Sequence, residues 1–351
     1  MIVLNNMSHK TFGEIDLYDP FFESLREDYP GFDNWFKGKK EQDAFVQFDD
    51  NNRVIGFLYL KVEEENVIKD VIPNICANKI LKVGTFKINA HGTKLGEQFI
   101  KVIMDYAINE KADICYVTIY PKHKSLIKLV ERFGFELYGK KINGDNEENV
   151  YLKRMNILKG DINKDFPYIK TEGKRKYMLS IYPKYHSIMF PDSILTTENK
   201  NIITDVSYTN SIHKIYICSM SDVEKLNYGD IVVLYRTAEY GRSAEYSAVA
   251  TSVCVVEDIK LQSEFDSFED FYEYACQYSV FERDDLHYWY KRGGCKAIKL
   301  TYNAAFRKRI VRHDLIEDIG LSRDRYWGFF ELSDEEFKKI IQKSEIGQII
   351  K

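Results

Sequence analysis

The stretch Lys79–Phe99, KILKVGTFKINAHGTKLGEQF, decides how the first half of this chain is read. Lys79–Ile88 is rich in Ile, Val, Thr and Phe and reads as a strand. Asn89–Thr93 breaks the pattern and reads as a loop. From there Leu95, Phe99, Val102 and Tyr106 recur at i, i+4, i+7 and i+11, one face of a helix. A strand that passes through a glycine-bearing turn into a helix leaves backbone N–H groups unpaired at the positive end of the helix dipole, a setting that favours phosphate or pyrophosphate. His91, Gly92, Thr93, Lys94, Leu95 and Gly96 are the candidate anion site, and a glycine that merely makes the bend is the competing reading.

Outward from this turn, Asp43–Phe48 and Arg53–Val62 flank Asp49-Asp50-Asn51-Asn52 as a hairpin, and Ile114–Tyr120 is a further strand. Leu126, Leu129, Val130 and Phe133 mark a second helix that Gly134 stops. Phe135–Lys141 and Asn149–Lys153 close the series around the polar turn Asn143–Glu148. A meander, then βαβα, then a closing hairpin predicts an α/β domain over residues 1–155, a mixed sheet with flanking helices.

Two motifs give this order of elements a family likeness. His91-Gly92-Thr93-Lys94-Leu95-Gly96 aligns with R/Q-x-x-G-x-G/A, with His91 in place of Arg or Gln and Lys94 in place of the middle glycine. His123–Phe135 aligns with N-x-x-A-x-x-L-Y-E-K-L-G-F, ending in Gly134-Phe135. Nearly all of residues 1–155 thus resembles the GNAT family of acyl-CoA-dependent N-acetyltransferases. The resemblance implies acetyl-CoA as co-substrate, with the turn amides on its pyrophosphate and the thioester along the backbone of Phe86 and Ile88. It implies direct transfer to an amine. The tyrosine that protonates the departing thiolate in many members is Val130 here, which has no proton to give. His123, Tyr138 and Tyr120 are the substitute donors near by in sequence; for the tyrosines aromatic packing competes with that role, and for His123 an exposed helix start.

Residues 156–176 are polar and aperiodic and read as a connector to a second domain, 177–351. There, strand-like runs at Lys214–Cys218, Asp230–Arg236, Ser247–Glu257 and Lys296–Tyr302 alternate with helical stretches at Ser267–Tyr278 and Ser333–Lys343, the last opened by a capping box. This predicts a small α+β domain built on a β-barrel. Asn210–Ile217, Tyr228–Thr237 and Ala248–Glu257 together resemble the PUA-like superfamily, its ASCH and EVE branches in particular, which implies a nucleic-acid-facing cleft. Glu282–His313 carries nine Lys or Arg against three acids, interleaved with Tyr288, Trp289, Tyr290, Tyr302 and Phe306. Lys291, Arg292, Arg307, Lys308 and Arg309 are the candidate nucleic-acid residues, and a solvated charged face over core aromatics is the alternative.

Composition bounds the rest. The 351 residues suffice for two domains, and with 44% hydrophobic and 30% charged residues disorder is not expected. The net charge of -4 excludes a polybasic coat. No apolar run approaches the ~20 residues of a membrane span, and MIVLNNMSHK lacks the pattern of a signal peptide, so a cytoplasmic protein without membrane partners is expected. Six scattered cysteines without C-x-x-C read as reduced thiols, and the histidines show no metal-ligand spacing. Three functions follow. One is an acetyltransferase on an RNA-borne amine such as aminoacyl-tRNA, toxin-like, with a DNA-binding antitoxin-like protein as partner. The second is a nucleic-acid-binding regulator that senses acyl-CoA, and the third an ordinary protein or small-molecule N-acetyltransferase.

Overall fold

The structure, a computed structural model, describes residues 7–89, 92–143, 146–195 and 206–351. It is a mixed α/β chain that divides into two compact units, Met1–Lys159 and Gly160–Lys351.

In the first unit the strands are β1 Met7–Thr11, β2 Asp43–Phe48, β3 Val54–Val62, β4 Val67–Ile68, β5 Ile75–Cys76, β6 Ile80–Ile88, β7 Ile114–Ile119, β8 Glu136–Asn143 and β9 Asn146–Arg154. The helices are α1 Glu23–Asp28, α2 Phe32–Lys37, α3 Leu95–Asn109 and α4 Lys124–Arg132. Seven strands form one sheet in the order β1-β2-β3-β6-β7-β9-β8, while β4 and β5 pair as a separate ribbon. Among the described strands of this sheet only β6 and β7 pair in parallel, and α3 supplies the crossover that a parallel pair needs. α3 forms because its periodic residues Leu95, Phe99 and Val102 are all buried, and it ends where Lys111 turns left-handed at φ 54°. On the N-terminal side Phe12, Phe22, Phe36 and Phe57 meet edge to face or tilted, which holds the short helices α1 and α2 against β2 and β3.

One irregularity in this sheet matters for function. Tyr59 faces Thr85 and Leu60 faces Val83, so Gly84 is an extra residue in β6, a β-bulge. A Cβ on residue 84 would lie 2.6 Å from the Tyr59 ring, so glycine is required there. The bulge turns the end of β6 away from β7: their pairing covers only Ile80–Val83 against Ile114–Val117, and beyond it the two strands separate.

The second unit contains β10 Lys176–Ile181, β11 His213–Cys218, β12 Ile231–Arg236, β13 Val249–Leu261, β14 Lys296–Val311 and β15 Phe329–Leu332. They form a six-stranded sheet in the order β11-β14-β13-β12-β10-β15, with β10 and β12 parallel. The expected barrel is not found closed: among the described residues the edge strands β11 and β15 of this sheet do not pair. What bends it is the long β13–β14 ribbon, whose register shifts at three places. The stretch 156–176, read as a connector, belongs largely to this unit, because Phe166 and Ile169 are buried and Ile169 exchanges hydrogen bonds with the C-terminal Ile349 and Lys351. The capping box at Ser333 forms, with Glu336 N–H donating to Ser333 Oγ at 3.2 Å.

Four of the six cysteines are buried and none is disulfide-bonded. Among the described residues no helix is long and apolar enough to cross a membrane.

Candidate active site

The gap between β6 and β7 opens into a cavity of about 900 Å³ in the first unit. Its wall on the β6 side is backbone. Asn89 N–H donates to Ile55 O at 2.9 Å, so by the period of two Lys87 and Thr85 share their hydrogen bonds with β3. Phe86 and Ile88 then turn their N–H and C=O groups to the opposite side, where β7 no longer pairs with them. A strand with one free edge inside a cleft can hold an extended ligand by main-chain hydrogen bonds.

At the end of β6 the chain makes its turn through Gly92, φ 83°, and Lys94, φ 59°. α3 begins at Leu95, and Glu97 N–H already donates to Lys94 O at 2.9 Å, so Leu95 and Gly96 supply the leading amides of a 15-residue helix. Gly92, Thr93, Lys94, Leu95 and Gly96 all line the cavity; His91 lies outside the described residues. Gly96 has a different reason from its neighbours. A Cβ there would meet Leu129 Cδ2 at 2.8 Å and Ile88 Cδ1 at 3.7 Å, so a side chain would enter the packing of α3 on α4 and not the anion position. Thr93, half-buried on the turn itself, is the better probe. Thr93→Glu should weaken acetyl-CoA binding by about tenfold or more, since a carboxylate then occupies the positive end of the helix, and Thr93→Ser should bind as the parent does; titration calorimetry reads both.

The opposite wall comes from β7, β9 and the N-terminal helices. Glu148 on β9 is 4% exposed, and Tyr29 Oη at 2.8 Å and Thr118 Oγ1 at 3.2 Å both donate to its Oε1. Oε2 carries neither bond. Burial and the neighbouring Glu148 push the Tyr29 phenol well above its ordinary range, so it stays protonated and goes on donating. This pair was missed in the sequence, where Glu148 is the last residue of a polar turn and Tyr29 lies 119 positions away. A second acid, Asp28, closes the mouth: His123 Nε2 donates to Asp28 Oδ2 at 2.9 Å, and Lys122 pairs with Oδ1.

The three expected proton donors part company here. His123 lines the cavity at the start of α4. Tyr120 stands beside it, its ring tilted against Tyr29 at 5.1 Å and its hydroxyl donating to Asp28 O at 3.3 Å. Tyr138 does not line the cavity; its hydroxyl donates to Asn74 O at 2.7 Å and its ring packs on the cluster of Ile68, Val71 and Ile75. Val130 is buried within α4's core face, 1% exposed.

The basic stretch of the second unit is divided between two elements. Lys291 and Arg292 end the helix Arg283–Arg292, whereas Arg307, Lys308 and Arg309 lie near the far end of β14. Tyr302 and Phe306 are core residues, Trp289 and Tyr290 pack against the core, and Tyr288 alone of the five aromatics is largely exposed, at 59%. Arg283, Lys296 and Lys299 pair with Glu269, Glu224 and Glu257. Among the described residues Glu245, His313 and Glu317 bring ligand-type atoms within 4.8 Å of one another, but the Arg323 guanidinium bridges the two carboxylates at 2.8 Å each.

No protein-family model matches this chain, and no curated protein does. Solved structures of two kinds are similar to it. The ASCH protein of Zymomonas mobilis aligns at 10% identity and TM-score 0.34, over 48% of this chain and 94% of its own. A GNAT-family acetyltransferase of Streptococcus agalactiae aligns at 14% identity and TM-score 0.33, over 44% of this chain and 98% of its own. A GNAT-family acetyltransferase of Elizabethkingia anophelis, solved with acetyl-CoA bound, aligns at 11% identity and TM-score 0.31, over 43% of this chain and 99% of its own.

Proposed function

We propose that the first unit transfers an acyl group, acetyl in the first instance, from a CoA thioester to an amine. The observation that carries this is the juxtaposition in one cavity of a free strand edge at Phe86 and Ile88, a helix N-terminus at Leu95 and Gly96, and the buried carboxylate of Glu148. In this reading the pyrophosphate rests on the turn amides, and Lys94 and Lys124 at the same cavity add positive charge. The pantetheine chain runs along β6 and the thioester carbonyl accepts from a β6 amide. The acceptor amine loses its proton to Glu148 Oε2, while Tyr29 and Thr118 on Oε1 hold the carboxylate in place. Attack forms a tetrahedral centre whose oxyanion keeps the β6 amide as donor. Collapse breaks the C–S bond, and His123, its Nε2–H held by Asp28, gives the thiolate the proton of Nδ1. Most of the rate comes from holding the two reactants together.

The test is release of CoA thiol from acetyl-CoA by the full chain, dependent on added amines, with label from acetyl-CoA followed into the RNA, protein and small-molecule fractions of a cell extract. Label in none of them, with acetyl-CoA bound, would favour a sensor over an enzyme. For the second unit one observation favours nucleic acid: Lys291 and Arg292 are exposed beside exposed Tyr288. We infer a short contact of one stacked base and about two phosphates. Binding of tRNA by the full chain should then weaken with salt at a log–log slope near -2, and Lys291→Glu with Arg292→Glu should abolish it; binding that survives the double change removes this contact, and no salt-sensitive binding at all removes the nucleic-acid role and the RNA-borne acceptor with it.

A further inference from the structure

The floor of the same cavity carries a charge arrangement that the transfer chemistry leaves unused. Lys82 of β6 and Lys141 of β8 both line the cavity, with side chains 23% and 13% exposed. Lys141 holds Asp70 at 2.6 Å. Lys82 is held more loosely: it lies 5.7 Å over the Tyr116 ring and reaches Glu63 at 4.0 Å, an acid already bonded to Lys61 at 2.8 Å and to the Tyr116 hydroxyl at 2.9 Å. Lys61, Lys82 and Lys141 thus find their ion-pair partners in Glu63 and Asp70. Burial first, and then the charge of Lys141, depress the Lys82 ammonium, while Glu63 and Asp70 act the other way. Lys141 also sits directly opposite Glu148 in the β8–β9 register, which sets their Cβ atoms about 5 Å apart.

We propose that the acceptor bears an anionic group, a carboxylate or a phosphate, that seats against Lys82 and Lys141 while its amine faces Glu148. The claim rests on the acyl-transfer reading and narrows it to small amines whose nitrogen and anion lie only a few bonds apart, as in an amino acid or an aminoalkyl phosphate. The anion completes the pairing that Glu63 leaves open, and it fixes the amine by a second contact so that its lone pair meets the thioester. A neutral amine of the same size would leave Lys82 as it stands.

The experiment uses the full chain and matched probes. First, acetyl-CoA binding is measured by calorimetry; no binding would sink the acyl-transfer reading itself. With acetyl-CoA bound, thiol release is compared for glycine against glycinamide and for O-phosphoethanolamine against ethanolamine. In parallel, binding of N-acetylglycine against N-acetylglycinamide, and of N-acetyl-O-phosphoethanolamine against N-acetylethanolamine, is measured on the CoA-saturated chain. At least one anionic member should exceed its neutral partner by tenfold or more in kcat/KM or in affinity, and which pair does so tells carboxylate from phosphate. Lys141→Met, with Lys82→Met as the second variant, should collapse that ratio towards one through KM while the acetyl-CoA Kd stays put. Ratios near one in every pair, or ratios that survive both substitutions, overturn the proposal and leave the acyl-transfer reading standing.

Discussion

Glu148→Gln should lower turnover by about 10²- to 10⁴-fold with acetyl-CoA affinity unchanged, the range that general-base help is worth. The amide keeps the size of the side chain and an oxygen to accept from Tyr29 and Thr118, but it cannot take the amine's proton. Tyr29→Phe should cost less, because it removes one donor to the carboxylate and leaves the base itself. The order of the two effects discriminates a base from a buried structural acid. A structural Glu148 would show its loss first in thermal stability, and full activity in the Gln variant would return the proton to water.

Acid should unfold the second unit through His186. This imidazole is fully buried, with Nε2 against Thr251 Oγ1 at 2.7 Å, and burial followed by the nearby Arg236 and Arg309 charges lowers its pKa from 6.5 to about 3. A folded-state pKa below the unfolded one means the unfolded chain binds more protons between those values. The stability held at neutral pH is therefore complete above about 6.5 and drains away as pH falls towards 3, at up to about 1.4 kcal/mol per pH unit. Glu257 continues the trend at lower pH: burial works against its charge, but hydrogen bonds from His213 and Thr301 and the Lys299 ammonium hold it at about 2. Denaturant melts at pH 7, 6, 5 and 4 read the slope directly. His186→Leu should flatten the curve between 6.5 and 4, and an unchanged slope in that variant would show that the imidazole is reached by protons in the native state.

What the sequence discloses and what it hides divide along the range of the interactions involved. α3 was legible because its stripe of Leu95, Phe99 and Val102 is a local pattern, and the turn before it because Gly92 must adopt a positive φ. The helix Arg283–Arg292 was available in the same way, through Leu286, Trp289 and Tyr290 at i, i+3 and i+4, but its charges drew it into a basic stretch instead. Closure of the second unit's sheet was not legible, because it depends on whether β11 and β15 meet, and no short window contains both. Glu148, Tyr29, Lys82 and Lys141 belong to the same class. Each is an ordinary polar residue in its own segment, and only the β8–β9 register and the folding of α1 over the gap bring them to one cavity.

Backbone hydrogen exchange with and without acetyl-CoA tests the central claim without knowing the acceptor. If the separated end of β6 and the start of α3 hold the thioester, exchange at Phe86, Ile88, Leu95 and Gly96 should slow on adding acetyl-CoA, since these N–H groups have no strand or helix partner among the described residues. Exchange in β11–β15 should stay as it was. Protection absent from these four amides, or appearing only in the second unit, would contradict the account.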